Sequence, residues 1–187
     1  MGEVGHAENP QRVCYGRNMT KYVALLRAIN VGGTGKLPMS DLVAICRDVG
    51  FARVETYIAS GNVVFESKAA APRVKAELEA RLRTYARKPI GVIVRTASEM
   101  RAILNANPFP KADPKFTYAI FLDEPPPSEV LALARGRNDE DICLGKREIF
   151  IYYPSGMGRS KLRIQAAEMG TARNMNTVAK LVEIVSK

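Results

Sequence analysis

Apolar and polar positions change period several times along the first half of the chain, and each change marks a new element. Short apolar runs bounded by Gly or Pro indicate strands, and apolar residues spaced three and four apart indicate helices. The predicted order is strand, helix, strand, strand, helix, strand, over residues 21–29, 38–49, 54–58, 62–65, 72–85 and 90–94. This β-α-β-β-α-β order is typical of a ferredoxin-like unit.

The second half has a related but less complete pattern. It predicts a helix, a strand, a helix, a hairpin around Gly145 and two closing helices, over residues 98–104, 116–122, 130–134, 142–144 with 148–153, 160–169 and 174–185. We expect an α+β protein of two packed two-layer subdomains. The first subdomain, 19–96, is ferredoxin-like, and the second, 97–187, is a β-α-β-β-α unit with an extra C-terminal helix. Residues 1–18 lack apolar periodicity and predict a flexible tail, so Met19 is a candidate for the natural start.

Composition narrows the class of protein. A hydrophobic content of 47% is enough for a sizeable core, and no apolar run is long enough to cross a bilayer. The first residues are polar and do not form a secretory signal. The three cysteines, Cys14, Cys46 and Cys143, are odd in number and far apart, which argues against a disulfide framework. These features predict a cytoplasmic protein without a membrane partner.

The positive charge is concentrated in two segments. The formal charge is +9, and residues 67–101 contribute nine Lys or Arg against three Glu. Residues 156–187 contribute six Lys or Arg against two Glu, whereas residues 105–145 are net acidic. Such a distribution fits a face for nucleic acid, nucleotide or a phosphorylated substrate, and it equally fits solvated helix surfaces.

Strand order gathers polar residues of the first half. In a ferredoxin-like sheet the first and third strands are antiparallel neighbours, so the end of one lies beside the start of the other. A Gly-rich loop containing Gly32, Gly33 and Gly35 leaves the same edge and is either a turn with positive φ or an anion nest. The residues expected on this shared rim are Arg27, Asn30, Lys36, Ser60 and Asn62.

Two predicted helix starts carry polar and basic residues. The first N–H groups of a helix have no helical acceptor and attract anions. Arg159, Ser160 and Lys161 precede the predicted helix over 160–169, with Ser160 as its N-cap or as part of a phosphate site. Arg173, Asn174 and Asn176 surround the start of the last helix, with Asn174 as N-cap. Either a carboxylate such as Glu168 or an external anion would offset the charge of Arg173.

Several familiar motifs are incomplete. Gly35-Lys36 lacks the earlier Gly and the following Ser or Thr of a phosphate-binding loop, since Asn30 and Leu37 occupy those positions. The Gly156–Lys161 segment lacks the third Gly of a dinucleotide loop. An RNA-recognition sheet would need more aromatic residues than Tyr22 and Phe65.

Catalytic and metal-binding residues are scarce. The only histidine, His6, lies in the tail, and Ser60 has no identifiable base. No spacing of metal ligands occurs, so we predict no metal and no cofactor. Any reaction would depend on Lys, Arg, Tyr or carboxylates that folding brings together.

Five stretches occur in an order that resembles the mainly bacterial family called domain of unknown function 1697: YVALLRAINVGG with KLPM, YIASGNVVF, NPFP, YYPSGMGRSKL and TARNMNTVAKL. The similarity covers residues 19–187. It implies an α/β sandwich built of two related subdomains, and it implies no activity.

Three functions remain open at the level of sequence. The leading hypothesis is a non-catalytic binder of an anionic ligand, namely a nucleotide, nucleic acid or phosphorylated metabolite. The second is an enzyme that acts on a phosphorylated or nucleotide-like molecule at the rim. The third is a scaffold in which the acidic middle of one copy meets the basic ends of another.

Overall fold

The computed structural model describes residues 19–30 and 36–187. The first half forms one antiparallel sheet with two helices on one face. Its strands follow the order β2-β3-β1-β4. The elements are β1 (Thr20–Leu26), α1 (Met39–Asp48), β2 (Ala52–Tyr57), β3 (Asn62–Ser67), α2 (Ala71–Ala86) and β4 (Val92–Thr96). All six lie where the apolar pattern predicts them, with boundaries shifted by a few residues.

The second half forms another four-stranded antiparallel sheet, in the order β6-β7-β5-β8. Its elements are α3 (Ala97–Asn105), β5 (Thr117–Phe121), β6 (Asp141–Leu144), β7 (Glu148–Tyr152), β8 (Thr171–Asn174) and α4 (Met175–Ser186). The predicted α+β class is therefore confirmed, with two four-stranded sheets and four helices among the described residues. The two sheets therefore have the same topology, since each strand of the second sheet occupies the position of the corresponding strand of the first.

Two predictions for the second half were wrong, and one strand was missed. No α-helix covers 160–169; two 3₁₀ turns, Met157–Arg159 and Gln165–Met169, flank an extended stretch instead. Arg163 in that stretch pairs with Arg135 through backbone hydrogen bonds, which an α-helix would not allow. The predicted helix over 130–134 is a 3₁₀ turn at Ser128–Val130. Residues 171–174, at the predicted entry to the last helix, form β8, a strand that the apolar pattern did not indicate.

The core consists of three apolar clusters. One lies between the first sheet and α1 with α2, and includes Phe65 and Leu78. The central cluster joins Val23 of the first sheet and Phe121 of the second to α3 and α4. The third covers the outer face of the second sheet and includes Ile164. Because α3 and α4 contact both halves, the predicted boundary between 96 and 97 crosses a continuous core, and the domain division stays a prediction.

Both central helices begin at side-chain caps. Thr96 accepts a hydrogen bond from the Glu99 N–H, and Glu99 accepts one from the Thr96 N–H, which completes a capping box at α3. The predicted N-cap of α4 is confirmed, because Asn174 Oδ1 accepts a hydrogen bond from the Thr177 N–H at 2.9 Å. Across the described parts of the chain, every helix is too short or too polar to span a bilayer.

Candidate functional site

The predicted rim exists at the end of β1. Leu25 pairs with Asn62 across the antiparallel β1–β3 ladder. Asn30 Nδ2 donates to the carbonyls of Ala59, at 2.8 Å, and Leu37, at 3.0 Å, while Asn30 Oδ1 accepts from the Leu37 N–H. The Asn30 amide therefore fastens the segment after β1 to the β2–β3 turn. The role of the Gly32, Gly33 and Gly35 loop lies outside the described residues.

Arg173 lies in β8 with its side chain only 7% exposed and directed at this rim. Its Nε donates to Asn62 Oδ1, and its Nη1 donates to Thr171 Oγ1 and to the Ala172 carbonyl. Its Nη2 donates to the carbonyls of Leu26, at 3.1 Å, and Ser60, at 2.9 Å. We call this group the Arg173 clamp. All five guanidinium N–H groups are used, so no donor is left for an external anion.

Glu168, the carboxylate expected beside Arg173, is not in contact with its side chain. All five acceptors are neutral oxygens, and Glu168 is exposed, offering only its backbone carbonyl, to Arg27. Burial lowers the pKa of Arg173 to about 10, which leaves the guanidinium charged at neutral pH. The carbonyl dipoles of β1 and of the β2–β3 turn therefore stabilise this charge, and the clamp has a structural role.

A second buried arginine, Arg95 in β4, mirrors the first. It is 1% exposed, and its Nη2 donates to the Leu122 carbonyl at 2.5 Å, at the end of β5. Its Nε and Nη2 also contact Glu148 Oε1, at 3.4 and 3.3 Å. We call this group the Arg95 clamp. Sequence reasoning missed it because a lone Arg in an apolar run indicates only a strand end near solvent.

A cleft of about 700 Å³ opens beside the rim, at the end of β1 and before β4. We call it the basic cleft. Arg27, Lys36 and Lys88 line it, and no Asp or Glu does so among the described residues. Its apolar surface comes from Ile29, Leu37, Ala86, Pro89 and Ile90. Two predicted site residues, Arg27 and Lys36, therefore meet in one cavity, and Lys88 is an addition that the sequence did not indicate.

The side chains of the basic cleft differ in how firmly they are held. Arg27 Nη2 donates to the Glu168 carbonyl at 2.7 Å, and its aliphatic part packs on Gly91, where a Cβ would lie 3.0 Å from Arg27 Cδ. Lys36 is exposed and makes no hydrogen bond or ion pair with the described residues. The Tyr85 hydroxyl donates to Asp41 Oδ2 at 2.6 Å, which fixes its ring at the wall.

The backbone of the basic cleft is strained. Ala28 has φ 47° and Asn30 has φ 54°, and Arg87, next to Lys88, has φ 55°. Side chains with Cβ atoms rarely adopt such angles, which are concentrated at functional sites. These angles occur in the two segments that contribute Arg27 and Lys88 to the cleft.

Arg159, Ser160 and Lys161 line a second cavity, of about 290 Å³. We call it the mixed-charge cleft, because Asp139 and Glu140 line it as well. The prediction of Ser160 as a helix cap was wrong; its hydroxyl donates to Glu140 Oε1 and accepts from the Leu162 N–H at 3.0 Å. The hydroxyl thus joins the loop before β6 to the segment after β7.

Six predicted site residues have no place in either cleft. Asn30, Ser60, Asn62 and Arg173 belong to the hydrogen-bonded rim, where Asn62 is fully buried and donates to the Tyr57 carbonyl and Ser60 Oγ. Asn174 caps α4. Asn176 is exposed on α4 and lines neither cavity. The predicted residues therefore divide among two cavities, the hydrogen-bonded rim with Arg173, and the start of α4.

Known proteins bear on the fold of this chain. A conserved bacterial protein, SP0830 from Streptococcus pneumoniae, has a similar structure, with a TM-score of 0.75 and 24% sequence identity over 91% of this chain and 100% of that chain. At this identity the likeness concerns the fold alone. No curated protein matches the chain.

The family comparison covers most of the sequence. A family model described as protein of unknown function (DUF1697) matches residues 19–150, which include the basic cleft and both sheets up to β7. The match confirms the resemblance over a range that holds three of the five sequence stretches, and the chain belongs to the DUF1697 family.

Proposed function

We propose that this protein is a cytoplasmic binder of a small phosphorylated molecule, which it holds in the basic cleft. The observation that carries the proposal is the convergence of Arg27, Lys36 and Lys88 on one cavity without a lining carboxylate among the described residues. Three cationic side chains around one cavity make a site for a group with two or more negative charges.

The shape of the cavity supports a small ligand over a nucleic acid. Its volume of about 700 Å³ lies within the range of small-molecule sites. Apolar side chains, among them the buried Ile29 and Leu37, supply a floor for the uncharged part of the ligand. A nucleic acid would instead need a long basic surface along its backbone.

The topology of the first half supports a finer description of the fold as well. The order β2-β3-β1-β4, with α1 and α2 on one face, fits the predicted ferredoxin-like unit. In this arrangement the chain leaves β1 and enters β4 at the same edge, which is where the basic cleft lies. The proposed site is therefore a consequence of the strand order.

Calorimetric titration tests the proposal with three probes at low salt: ATP, glucose 6-phosphate and inorganic pyrophosphate. We expect at least one of them to bind, and we expect Lys36→Ala to weaken it roughly 10- to 100-fold, the effect of one charge-assisted hydrogen bond. Lys36 is the best variant because its side chain holds no described part of the fold together.

Lys111→Ala is the matched control, since Lys111 is also exposed and lies outside the lining of the basic cleft. It should leave binding within about twofold of the wild type, because a distant exposed charge is screened by solvent. If no probe binds, or if both lysine variants weaken binding equally, the basic cleft is not the site.

A further inference from the structure

The mixed-charge cleft has a composition that the proposed function does not use. Asp139 and Glu140 line it together with Arg159 and Lys161, and no ion pair joins any of these four side chains to a described residue. Arg137 is the nearest cation to Asp139 and Glu140 along the chain. Its Nε donates a hydrogen bond to the Glu140 backbone carbonyl, and its Nη2 lies 3.8 Å from Asp141 Oδ1. Charges of both signs therefore line one small cavity without neutralising one another directly.

Hydrogen bonds fix the acidic side of this cleft. Glu140 is 2% exposed, and its carboxylate accepts from the Ser160 hydroxyl and from the Asn138 N–H at 2.7 Å. These donors lower the pKa of the Glu140 carboxyl, so it stays ionised at neutral pH. Asp139 Oδ2 accepts from the Ser155 hydroxyl at 2.6 Å, which leaves its other oxygen without a described partner.

Tyr153 adds a polar group that points to a ligand. Its side chain is 7% exposed, yet its hydroxyl makes no hydrogen bond with a described residue. Every fully shielded side-chain nitrogen or oxygen among the described residues has a partner. The Tyr153 oxygen is therefore not fully shielded, and Tyr153 is one of the residues that line the cleft. Burial raises the pKa of Tyr153 to about 12, so the hydroxyl keeps its proton and can donate it in a hydrogen bond.

We propose that the mixed-charge cleft binds a free α-amino acid. Its ammonium group lies at Asp139 and Glu140, and its carboxylate is held by Arg159, Lys161 and the Tyr153 hydroxyl. A ligand that carries both charges a few bonds apart satisfies both sides of the cleft, which a simple anion or a simple amine does not. The volume of about 290 Å³ suits a molecule of this size.

Saturation-transfer NMR with an equimolar mixture of the twenty common amino acids identifies the ligand, and calorimetry then measures its affinity. We expect at least one amino acid to bind with a stoichiometry of one. Its N-acetyl derivative and its methyl ester, each of which lacks one charge, should bind at least about tenfold more weakly. A phosphorylated probe that binds in the basic cleft should not compete with it.

Three variants locate the site. Asp139→Asn, Lys161→Met and Tyr153→Phe should each weaken amino-acid binding by about tenfold, because each removes one charge or one donor and preserves side-chain volume. Glu129→Gln and Lys111→Met make the same changes at exposed positions outside the cleft and should leave the affinity unchanged. A thermal unfolding curve for each variant establishes that it folds.

The proposal is overturned if none of the twenty amino acids binds. It is also overturned if the N-acetyl derivative and the methyl ester bind as tightly as the parent molecule, or if a sugar phosphate occupies the cleft instead. Because the variants lie outside the basic cleft, a failure here leaves the test of phosphate binding with Lys36→Ala intact.

Discussion

At the scale of single residues, the two buried arginines show what an inward-facing guanidinium does in this fold. Each reaches a carbonyl at the end of the first strand of the other sheet: Leu26, the last residue of β1, for Arg173, and Leu122, the residue after β5, for Arg95. Strand-end carbonyls that are shielded from water need donors, and one guanidinium supplies five in a fixed plane. The acceptor of the Nε hydrogen bond differs: it is the Asn62 amide oxygen for Arg173 and the Glu148 carboxylate for Arg95.

Replacement of Arg173 tests its structural role. Arg173→Met removes all five hydrogen bonds and leaves buried oxygens without donors, so we expect the free energy of unfolding to fall by about 3 kcal/mol or more. Arg173→Lys keeps the charge but supplies at most three donors, and it should lose part of that amount. Urea unfolding measures both, with the exposed Arg81→Met as a control that stays within about 0.5 kcal/mol. A loss no larger than that of the control would mean that the clamp contributes little.

The buried thiol of Cys46 should make the stability of the protein depend on pH in the alkaline range. Burial raises the pKa of its thiol from 9.0 to about 12, so the unfolded chain releases this proton first. Between these values the native state binds more protons than the unfolded state, and the free energy of unfolding falls as pH rises. This thiol should lower it by about 1–2 kcal/mol between pH 8 and pH 10.

The matched variant is Cys46→Ala, which carries a constant cost for the lost sulfur but lacks the titrating group. Urea unfolding at pH 8, 9 and 10 should therefore give a steeper decline for the wild type than for Cys46→Ala. Parallel curves for the two proteins would show that Cys46 is ionised as easily in the native state as in the unfolded chain.

At the scale of elements, the sequence predicts most of the fold because most strands and helices have apolar residues at their buried positions. β8 is the informative exception. Its buried positions are Thr171 and Arg173, which are polar. The sequence of β8 therefore lacks the alternation of apolar and polar residues that predicts a strand. The predicted helix over 160–169 was wrong for a different reason. Its apolar residues Leu162 and Ile164 pack in the third cluster from an extended backbone.

The candidate site residues could likewise be predicted only in part. Adjacent strands placed Asn30, Ser60 and Asn62 together, as the sequence predicted, because strand order follows from the order of elements. Whether a polar side chain then faces a ligand or another part of the protein depends on side-chain partners far away in sequence. Asn62 and Arg173, which lie in opposite halves of the chain, satisfy each other, and no local pattern indicates that contact.

The two asparagines at the start of α4 give a direct test of the capping assignment. Asn174 Oδ1 accepts the hydrogen bond from the Thr177 N–H, whereas the side chain of Asn176 is exposed and makes no hydrogen bond with a described residue. Asn174→Ala should lower the free energy of unfolding by about 1 kcal/mol, and Asn176→Ala should change it by less than about 0.5 kcal/mol. Thermal unfolding followed by circular dichroism compares the two, and equal effects would contradict the assignment.

At the scale of the whole molecule, the two halves are related by more than element order. Arg95 pairs with Val23 in β1, and Arg173 pairs with Ala119 in β5; Leu25 lies opposite Asn62, and Phe121 lies opposite Glu148. The clamps therefore use corresponding positions of the two sheets and cross in opposite directions. Arg27 and Asp123, which follow the corresponding strands, also reach into the opposite half, to the Glu168 carbonyl and to Lys75. The residue types differ at most of these positions, which is why sequence comparison of the halves finds no repeat.

This reciprocal arrangement predicts that the two sheets unfold together. The central cluster takes side chains from both sheets, and each clamp ties the fourth strand of one sheet to the first strand of the other. Hydrogen exchange under increasing urea should therefore give one opening free energy for the protected amides of β1 and β3 and for those of β5 and β7. Arg173→Met, a change in the second sheet, should lower the opening free energy of all four strands by the same amount, and Arg95→Met should do so from the first sheet. If Arg173→Met increased exchange only in β5 and β7, the halves would be separate folding units. The clamps would then be contacts between two independently folded domains.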